Sequence, residues 1–234
     1  MSDKHLSSQF DADLNLVSSK VLEMGGLVEA QITRAMQALN EFDAEIADQV
    51  IAAEETVNTM EVLIDEECSN VIARRQPAAR DLRLLLAISK TITNLERAGD
   101  EAEKIAKRVK RLMEDGAART VNIAEIKVSG EMAVSILRRA LDAFARLDTV
   151  AAAQIVRDDK AIDEEFRAFV RKLVTYMMED PRTISAGLEF LFIAKAIERI
   201  GDHSKNIAEF IIYIVKGTDV RHKSRDALER EALS

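Results

Sequence analysis

The sequence predicts an all-α protein built as two tandem three-helix bundles, and three observations carry that expectation. Apolar residues step by three or four positions through nearly the whole chain. Only 8 glycines and 2 prolines interrupt 234 residues, and aromatics are 4% of them. The second half of the chain repeats the first. A period between three and four marks an amphipathic helix, and scarce Gly and Pro leave few places for a helix to stop. A hydrophobic content of 47% suffices for a sizeable core at this length.

The first helix carries Leu14, Val17, Val21, Met24, Val28, Ile32, Ala35, Leu39 and Phe42 on one stripe. Asp43 can cap the second, because a short carboxylate accepts from the free amides of a first helical turn. Its stripe runs Ile46, Val50, Ala53, Val57, Met60, Ile64, Cys68 and Val71 until Gln76 and Pro77 break it. The third helix carries Leu85, Ile88, Ile92, Leu95, Ala102 and Val109 and ends near Asp115 and Gly116. Three further helices follow, over about 122–146, 149–178 and 183–216, with Asp180 and Pro181 as cap and first-turn pair of the last. Residues 1–116 and 117–217 are then two repeats joined at about 116–121, and the charged tail 218–234 is expected to be peripheral or frayed.

The repeat is visible residue by residue. Asp43 matches Asp148, Pro77 matches Pro181 and Glu96 matches Glu198, so the offset drifts only from 105 to 102 residues. Helices of about 30 residues are roughly 45 Å long, which makes each repeat an elongated bundle.

Composition excludes several function classes. A net charge of −8 argues against a general nucleic-acid binder, which needs a basic surface against phosphates. The one cysteine, Cys68, falls on the apolar stripe and reads as a core residue in a reducing compartment. The first sixteen residues lack the basic-then-apolar pattern of a secretory signal. The longest apolar stretches, residues 188–197 and 210–215, are too short to span a bilayer, so no direct membrane insertion is expected. Nucleophile elbow, phosphate-cradling glycine loop and zinc-finger spacing are all missing.

The best-matched segments are NLERAGDEAEKIA (residues 94–106) and AIERIGDHSKNIA (residues 196–208). Each sets a Glu and an Asp four apart, Glu96 with Asp100 and Glu198 with Asp202, on one helix face. Two carboxylates about 5 Å apart repel by roughly 3 kcal/mol at an effective dielectric near 20, so something must offset them. Gly99 and Gly201, each costing roughly 1 kcal/mol in a helix interior, imply a close approach from a neighbour.

Two offsets are open at this point: an arginine network using Arg97 and Arg199, or a cation held by carboxylates of several helices. Further acids lie in register, since Glu54 and Asn58 on the second helix match Asp159 and Asp163 on the fifth. Glu61 and Asp65 read as an ordinary solvated flank. Histidine is scarce (His5, His203 and His222), and His203, whose counterpart is Glu101, reads as a surface or outer group rather than a ligand. The basic run Lys104, Lys107, Arg108, Lys110 and Arg111 suits a helix C-terminus, with an acidic partner or lipid headgroups as the other reading.

The segments MGGLVE (24–29), RRQPAARDLR (74–83), TYMMEDPRTI (175–184) and YIVKG (213–217), together with two ERxGD copies in register, resemble the PhoU family of phosphate-transport accessory proteins over nearly the whole chain. The resemblance implies two three-helix bundles and multinuclear metal clusters, iron or zinc, on carboxylate-rich surfaces. The family's E(D)xxxD motif matches Glu96 and Asp100, and Glu198 and Asp202, with Asp159 and Asp163 as a further copy and Glu54 beside the first. Asn58 breaks the pattern in the first repeat, which makes the second bundle the better expected metal site.

The resemblance also implies a non-enzymatic, cytoplasmic homodimer, peripheral to the inner membrane through its partners. It would link a phosphate ABC transporter's ATPase subunit to a sensor histidine kinase as a negative regulator of the phosphate-starvation response. The competing expectation is a carboxylate-cluster metalloprotein that hydrolyses phosphate esters. The absence of any acid–base or nucleophile group beyond carboxylates favours the adaptor.

Overall fold

The computed structural model describes residues 8–116 and 121–233, and all regular structure among them is helical. Helices α1 (Ser8–Glu41), α2 (Ala44–Arg75) and α3 (Ala79–Glu114) form the first bundle. Helices α4 (Ala124–Arg146), α5 (Thr149–Glu179) and α6 (Ile184–Lys216) form the second, and α7 (Arg225–Leu233) follows. The tandem all-α architecture expected from the repeat is the one observed. The joint expected at 116–121 falls mostly on residues 117–120, which lie outside the described residues, as does His5.

The first loop of each repeat is built alike. Asp43 accepts from the amides of Glu45 (2.8 Å) and Ile46 (3.1 Å), and its counterpart Asp148 accepts from the amide of Ala151 (2.9 Å). Immediately before each cap stands a left-handed residue, Phe42 (φ 52°) and Leu147 (φ 51°). Neither is the glycine or asparagine usual in that conformation, so sequence offered no sign of it. Asp180 accepts from the Arg182 amide at 3.1 Å and opens one 3-10 turn, Pro181–Thr183, which places the start of α6 proper at Ile184.

Within each bundle the apolar stripes meet as their period requires. Met24, Ile32 and Leu39 of α1, Val57 and Ile64 of α2, and Ile88, Ile92 and Leu95 of α3 are buried, each such side chain contributing about 1.5–3 kcal/mol of burial. Cys68 lies in this core, and burial pushes its thiol up to about 12, so it stays protonated and inert at neutral pH.

The two bundles are not separate bodies. Helices α3 and α6 pack on one another more extensively than any pair inside either bundle, and α1 meets α4 beside them. This contact has an approximate two-fold relation. A Cβ on Gly25 of α1 would strike Leu141 of α4, while a Cβ on Gly130 of α4 would strike Met36 of α1; Gly25 matches Gly130, and Met36 matches Leu141, in the repeat. Across α3 and α6, Lys90 lies over the Phe210 ring at 5.7 Å and Arg108 over the Phe192 ring at 4.0 Å, with cation and ring exchanged between matching positions.

The tail, expected to be peripheral or frayed, is peripheral but not frayed, since α7 packs on α5. Leu228 and Ala232, four apart, turn inward from α7 and are buried, the Thr149 hydroxyl donates to the Ala232 carbonyl at 2.8 Å, and Arg157 pairs with Glu229. One apolar pair and one ion pair thus fasten α7 to α5.

Candidate metal centre

Gly99 explains itself in the first bundle. A Cβ there would lie 2.9 Å from Oε1 of Gln31 on α1 and 3.0 Å from Oε2 of Glu54 on α2. The missing side chain lets a buried carboxylate reach the backbone of α3. Glu54 is 6% exposed and Gln31 1%. Gln31 Nε2 donates to Glu54 Oε2 at 2.7 Å and to the Val50 carbonyl at 3.3 Å. Glu54 Oε1 and Gln31 Oε1 are buried and take no hydrogen bond.

Glu96 and Asp100 complete the arrangement from α3. Glu54, Glu96 and Asp100 each offer an oxygen within 4.8 Å of the others, the one such trio of Asp, Glu, His or Cys among the described residues. Burial, against the Gln31 hydrogen bond and with the charges of Asp100, Glu103 and Glu96, pushes Glu54 up to about 7. Burial, with Asp100 and Glu61, also raises Glu96. Cations stay at the rim: Lys104 Nζ is 3.0 Å from Glu101 and 3.6 Å from Asp100, and Lys107 is 2.7 Å from Glu103.

The second bundle repeats the close approach. A Cβ on Gly201 would lie 2.9 Å from Asp159 Oδ1 and 3.0 Å from Ile162 Cδ1. Asp159 is 3% exposed, and Lys205 Nζ lies 3.6 Å from its Oδ2. Burial pushes Asp159 up to about 6 against the pull of Lys205, with Asp202 and Asp163 adding to the rise. Glu198 is held by Lys195 at 2.5 Å, and the same lysine lies over the Phe166 ring at 5.4 Å. Asp163 and Asp202 are half-buried nearby, yet Asp159, Asp163, Glu198 and Asp202 form no trio as close as that of the first bundle.

Of the residues singled out from sequence, Glu54, Glu96 and Asp100 are thus brought together most tightly. The geometry favours the first bundle, whereas Asn58 had pointed to the second; Asn58 is exposed and is not part of the close trio. Glu61 and Asp65 are more than a solvated flank, since Thr93 and Ser89 on α3 donate to them at 2.8 and 2.5 Å and clasp α2 to α3.

The arginine network did not form around the motifs. Among the described residues no arginine makes an ion pair with Glu96, Asp100, Glu198 or Asp202; Arg199 instead reaches buried Glu101 at 3.1 Å across the bundle contact. His203 is no surface group: it is buried there, with Nδ1 3.2 Å from Asn94 Oδ1, which also accepts from Asn206 at 3.0 Å. Burial first, then Arg199, Arg97 and Lys104, pushes it down to about 4, so it is neutral at pH 7.

The basic run at the end of α3 is engaged inside the chain. Beyond Lys104 and Lys107, Arg108 pairs with Glu189 at 2.8 Å, Lys110 with Asp48 at 2.5 Å, and Arg111 approaches Glu189 at 4.0 Å. Among the described residues, no helix is long and apolar enough to cross a membrane.

Sequence reasoning missed Gln31, Glu103, Lys195 and Lys205. A signal existed for two of them: Gln31 interrupts an apolar stripe, and Glu103 against Lys205 is a reversal of sign inside the best-matched segment.

Comparison with known proteins agrees with this architecture. The PhoU domain family model matches twice, at residues 21–109 and 126–211. A Burkholderia sp. protein called a phosphate-specific transport system accessory protein PhoU homolog is 62% identical over 234 residues, covering 100% of both chains. The Escherichia coli K12 phosphate-specific transport system accessory protein PhoU is 46% identical over 228 residues, covering 97% of this chain and 94% of its own. The crystal structure of PhoU from Pseudomonas aeruginosa superposes with a TM-score of 0.86 at 47% identity, over 89% of this chain and 100% of that one. With the family domain matched in both halves and the fold shared, this chain belongs to the PhoU family.

Proposed function

We propose that this chain is a phosphate-transport accessory protein that works as an adaptor, coupling a phosphate ABC transporter's ATPase subunit to a sensor histidine kinase and holding the phosphate-starvation response off when phosphate is plentiful. The observation that carries the reading is the double PhoU-domain match, with full-length relatives named as accessory proteins of phosphate-specific transport. The reading places the chain in the cytoplasm, at the inner membrane through its partners, as a homodimer. The bundle arrangement suits an adaptor: α3 and α6 are spent on joining the halves, which leaves α2 and α5 on outer faces, with exposed Val62 and Leu63 on one and Val174 and Met178 on the other.

The same reading includes a cation at the first-bundle carboxylates, iron or zinc being the metals of the resemblance. Glu54, Glu96 and Asp100 fit it, because three carboxylates converge and a buried Glu54 oxygen lacks any partner. Bound there, a cation supplies the positive charge that this buried group lacks and ties α2 to α3.

The test is affinity capture of the tagged protein from phosphate-replete cells, with partners identified by mass spectrometry and phosphate-starvation genes measured after deletion. Recovery of a transporter ATPase or sensor kinase, with constitutive expression in the deletion, supports the adaptor. Recovery of neither, with normal repression and metal-dependent turnover of a phosphate ester, replaces it with the hydrolase.

A further inference from the structure

The two acidic sites descend from one repeated segment and differ at a few positions whose chemistry is opposite. Lys205 stands where the first repeat has Glu103, Lys195 where it has Thr93, and Phe166 where it has Glu61. The contacts follow these differences. In the first bundle the buried carboxylate Glu54 is met only by the neutral amide of Gln31 and one of its oxygens is unpartnered, while the nearby lysines stay at the rim, Lys107 on Glu103 and Lys104 on Glu101 and Asp100. In the second, Asp159 turns Oδ1 toward Gly201 and Oδ2 toward the Lys205 ammonium, while Lys195 takes Glu198. Lys205 also lies within electrostatic reach of Glu209, a buried carboxylate on its own helix α6.

We infer that Lys205 is a tethered cation that closes the second acidic site to metal, so that of the two repeats only the first binds a cation. The inference rests on the cation reading of the first bundle and adds which site is open and which residue decides it. A lysine ammonium and a divalent ion compete for the same carboxylate oxygens, and a covalently attached ammonium is present at very high effective concentration. To bind a metal the second site would have to expel Lys205 from Asp159 and Lys195 from Glu198, and each ammonium would then lie beside the incoming charge. At the first site Lys104 lies 3.6 Å from half-exposed Asp100 and would have to swing outward, but the buried Glu54 and its neighbour Glu96 carry no ion pair among the described residues, so no ammonium has to leave the buried carboxylate. The family pattern of carboxylates is thus present twice, and the second copy does not fit a metal.

The experiment is Mn2+ binding to chelator-stripped full-length protein, counted from the electron paramagnetic resonance signal of free Mn2+. Variants are Glu54→Gln, Asp202→Asn, Lys205→Glu and the milder Lys205→Gln, with circular dichroism melts to show that each is folded. The inference expects Asp202→Asn to bind as the parent does and Glu54→Gln to lose the bound ion. It expects Lys205→Glu, which restores the first repeat's residue, to raise bound Mn2+ about twofold, with Lys205→Gln gaining in the same direction. Parent binding that falls by about half in Asp202→Asn would overturn the closure by Lys205 while leaving the first site standing. Parent binding that is absent, with Lys205→Glu binding only through Asp202, would overturn the first-bundle reading and keep the closure. A Lys205→Glu chain that is folded and gains no ion overturns the closure outright.

Discussion

The two acidic sites invite comparison because they share a template and solve the same electrostatic problem differently. Each presses a buried carboxylate from the bundle's second helix against a glycine on its third, Glu54 on Gly99 and Asp159 on Gly201. In the second bundle an ammonium from the adjoining helix meets that carboxylate; in the first only an amide does. The lesson is that a repeated acidic motif does not fix a repeated set of contacts: one differing position, Glu103 against Lys205, gives the buried carboxylate of the second bundle an ammonium that the first lacks.

The largest effect that sharpens this contrast is a dependence of stability on pH. Glu54 is raised from about 4.5 to about 7, so between those values the folded state holds a proton that the unfolded state releases. Stability of the metal-free protein therefore falls as pH rises through that window, by up to about 3 kcal/mol from Glu54 alone. Asp159, raised to about 6, and Glu209, raised to about 7, act in the same sense. Denaturant midpoints at pH 5 and pH 8 should show the drop, and Glu54→Gln should remove the Glu54 share of it and stabilise the chain at pH 8. Asp159→Asn should gain less, because it strips Lys205 of one of its carboxylates. An equal gain from both variants would erase the distinction.

Next in size is protection by a cation. At pH 8, Mn2+ at a hundredfold excess over its dissociation constant should stabilise the parent by about 2.7 kcal/mol, by mass action. Thermal melts should show that protection kept in Asp159→Asn and lost in Glu54→Gln.

The glycines give a smaller contrast. A methyl group at Gly99 meets the ends of two long side chains, Gln31 and Glu54, which can swing away, whereas at Gly201 it meets the short Asp159 and the branched Ile162. Gly99→Ala should be close to neutral in urea unfolding, the helix propensity gain of about 1 kcal/mol offsetting the displacement. Gly201→Ala should cost about 1–2 kcal/mol. Smallest of all, Lys195→Ala breaks a half-exposed pair and should change stability by less than about 0.5 kcal/mol.

Much of the fold could be read beforehand because it rests on periodicity and on short polar caps, both local in sequence. Asp43 caps as expected and its counterpart Asp148 does the same, and the stripes of α1 to α3 bury as drawn except that Phe42, Ile46, Ala53 and Met60 are covered only in part. The left-handed turns at Phe42 and Leu147 were invisible because neither residue advertises that conformation. Helix α7 escaped because its nine residues bury only Leu228 and Ala232, too few for a period to show. The candidate site was half legible. The carboxylates were found by their repeat, but their ranking was drawn from Asn58 on one helix, while the deciding contacts come from Gln31 on α1 and Lys205 on α6. Which helix face turns toward a third helix is a tertiary fact that spacing along one helix does not contain.

The crossed pairs between the bundles carry a further consequence. Gly25 meets Leu141 as Gly130 meets Met36, and Lys90 meets Phe210 as Arg108 meets Phe192. An interface in which residue i touches j while j's twin touches i's twin is isologous, the form that two copies of a single chain adopt about a symmetry axis. Covalent joining of the halves removes the requirement that both partners stay identical, because a substitution on one side is no longer copied onto the other. The two sides accordingly differ, methionine against leucine at one matched position and cation against ring at others, inside a contact whose geometry is still that of a dimer.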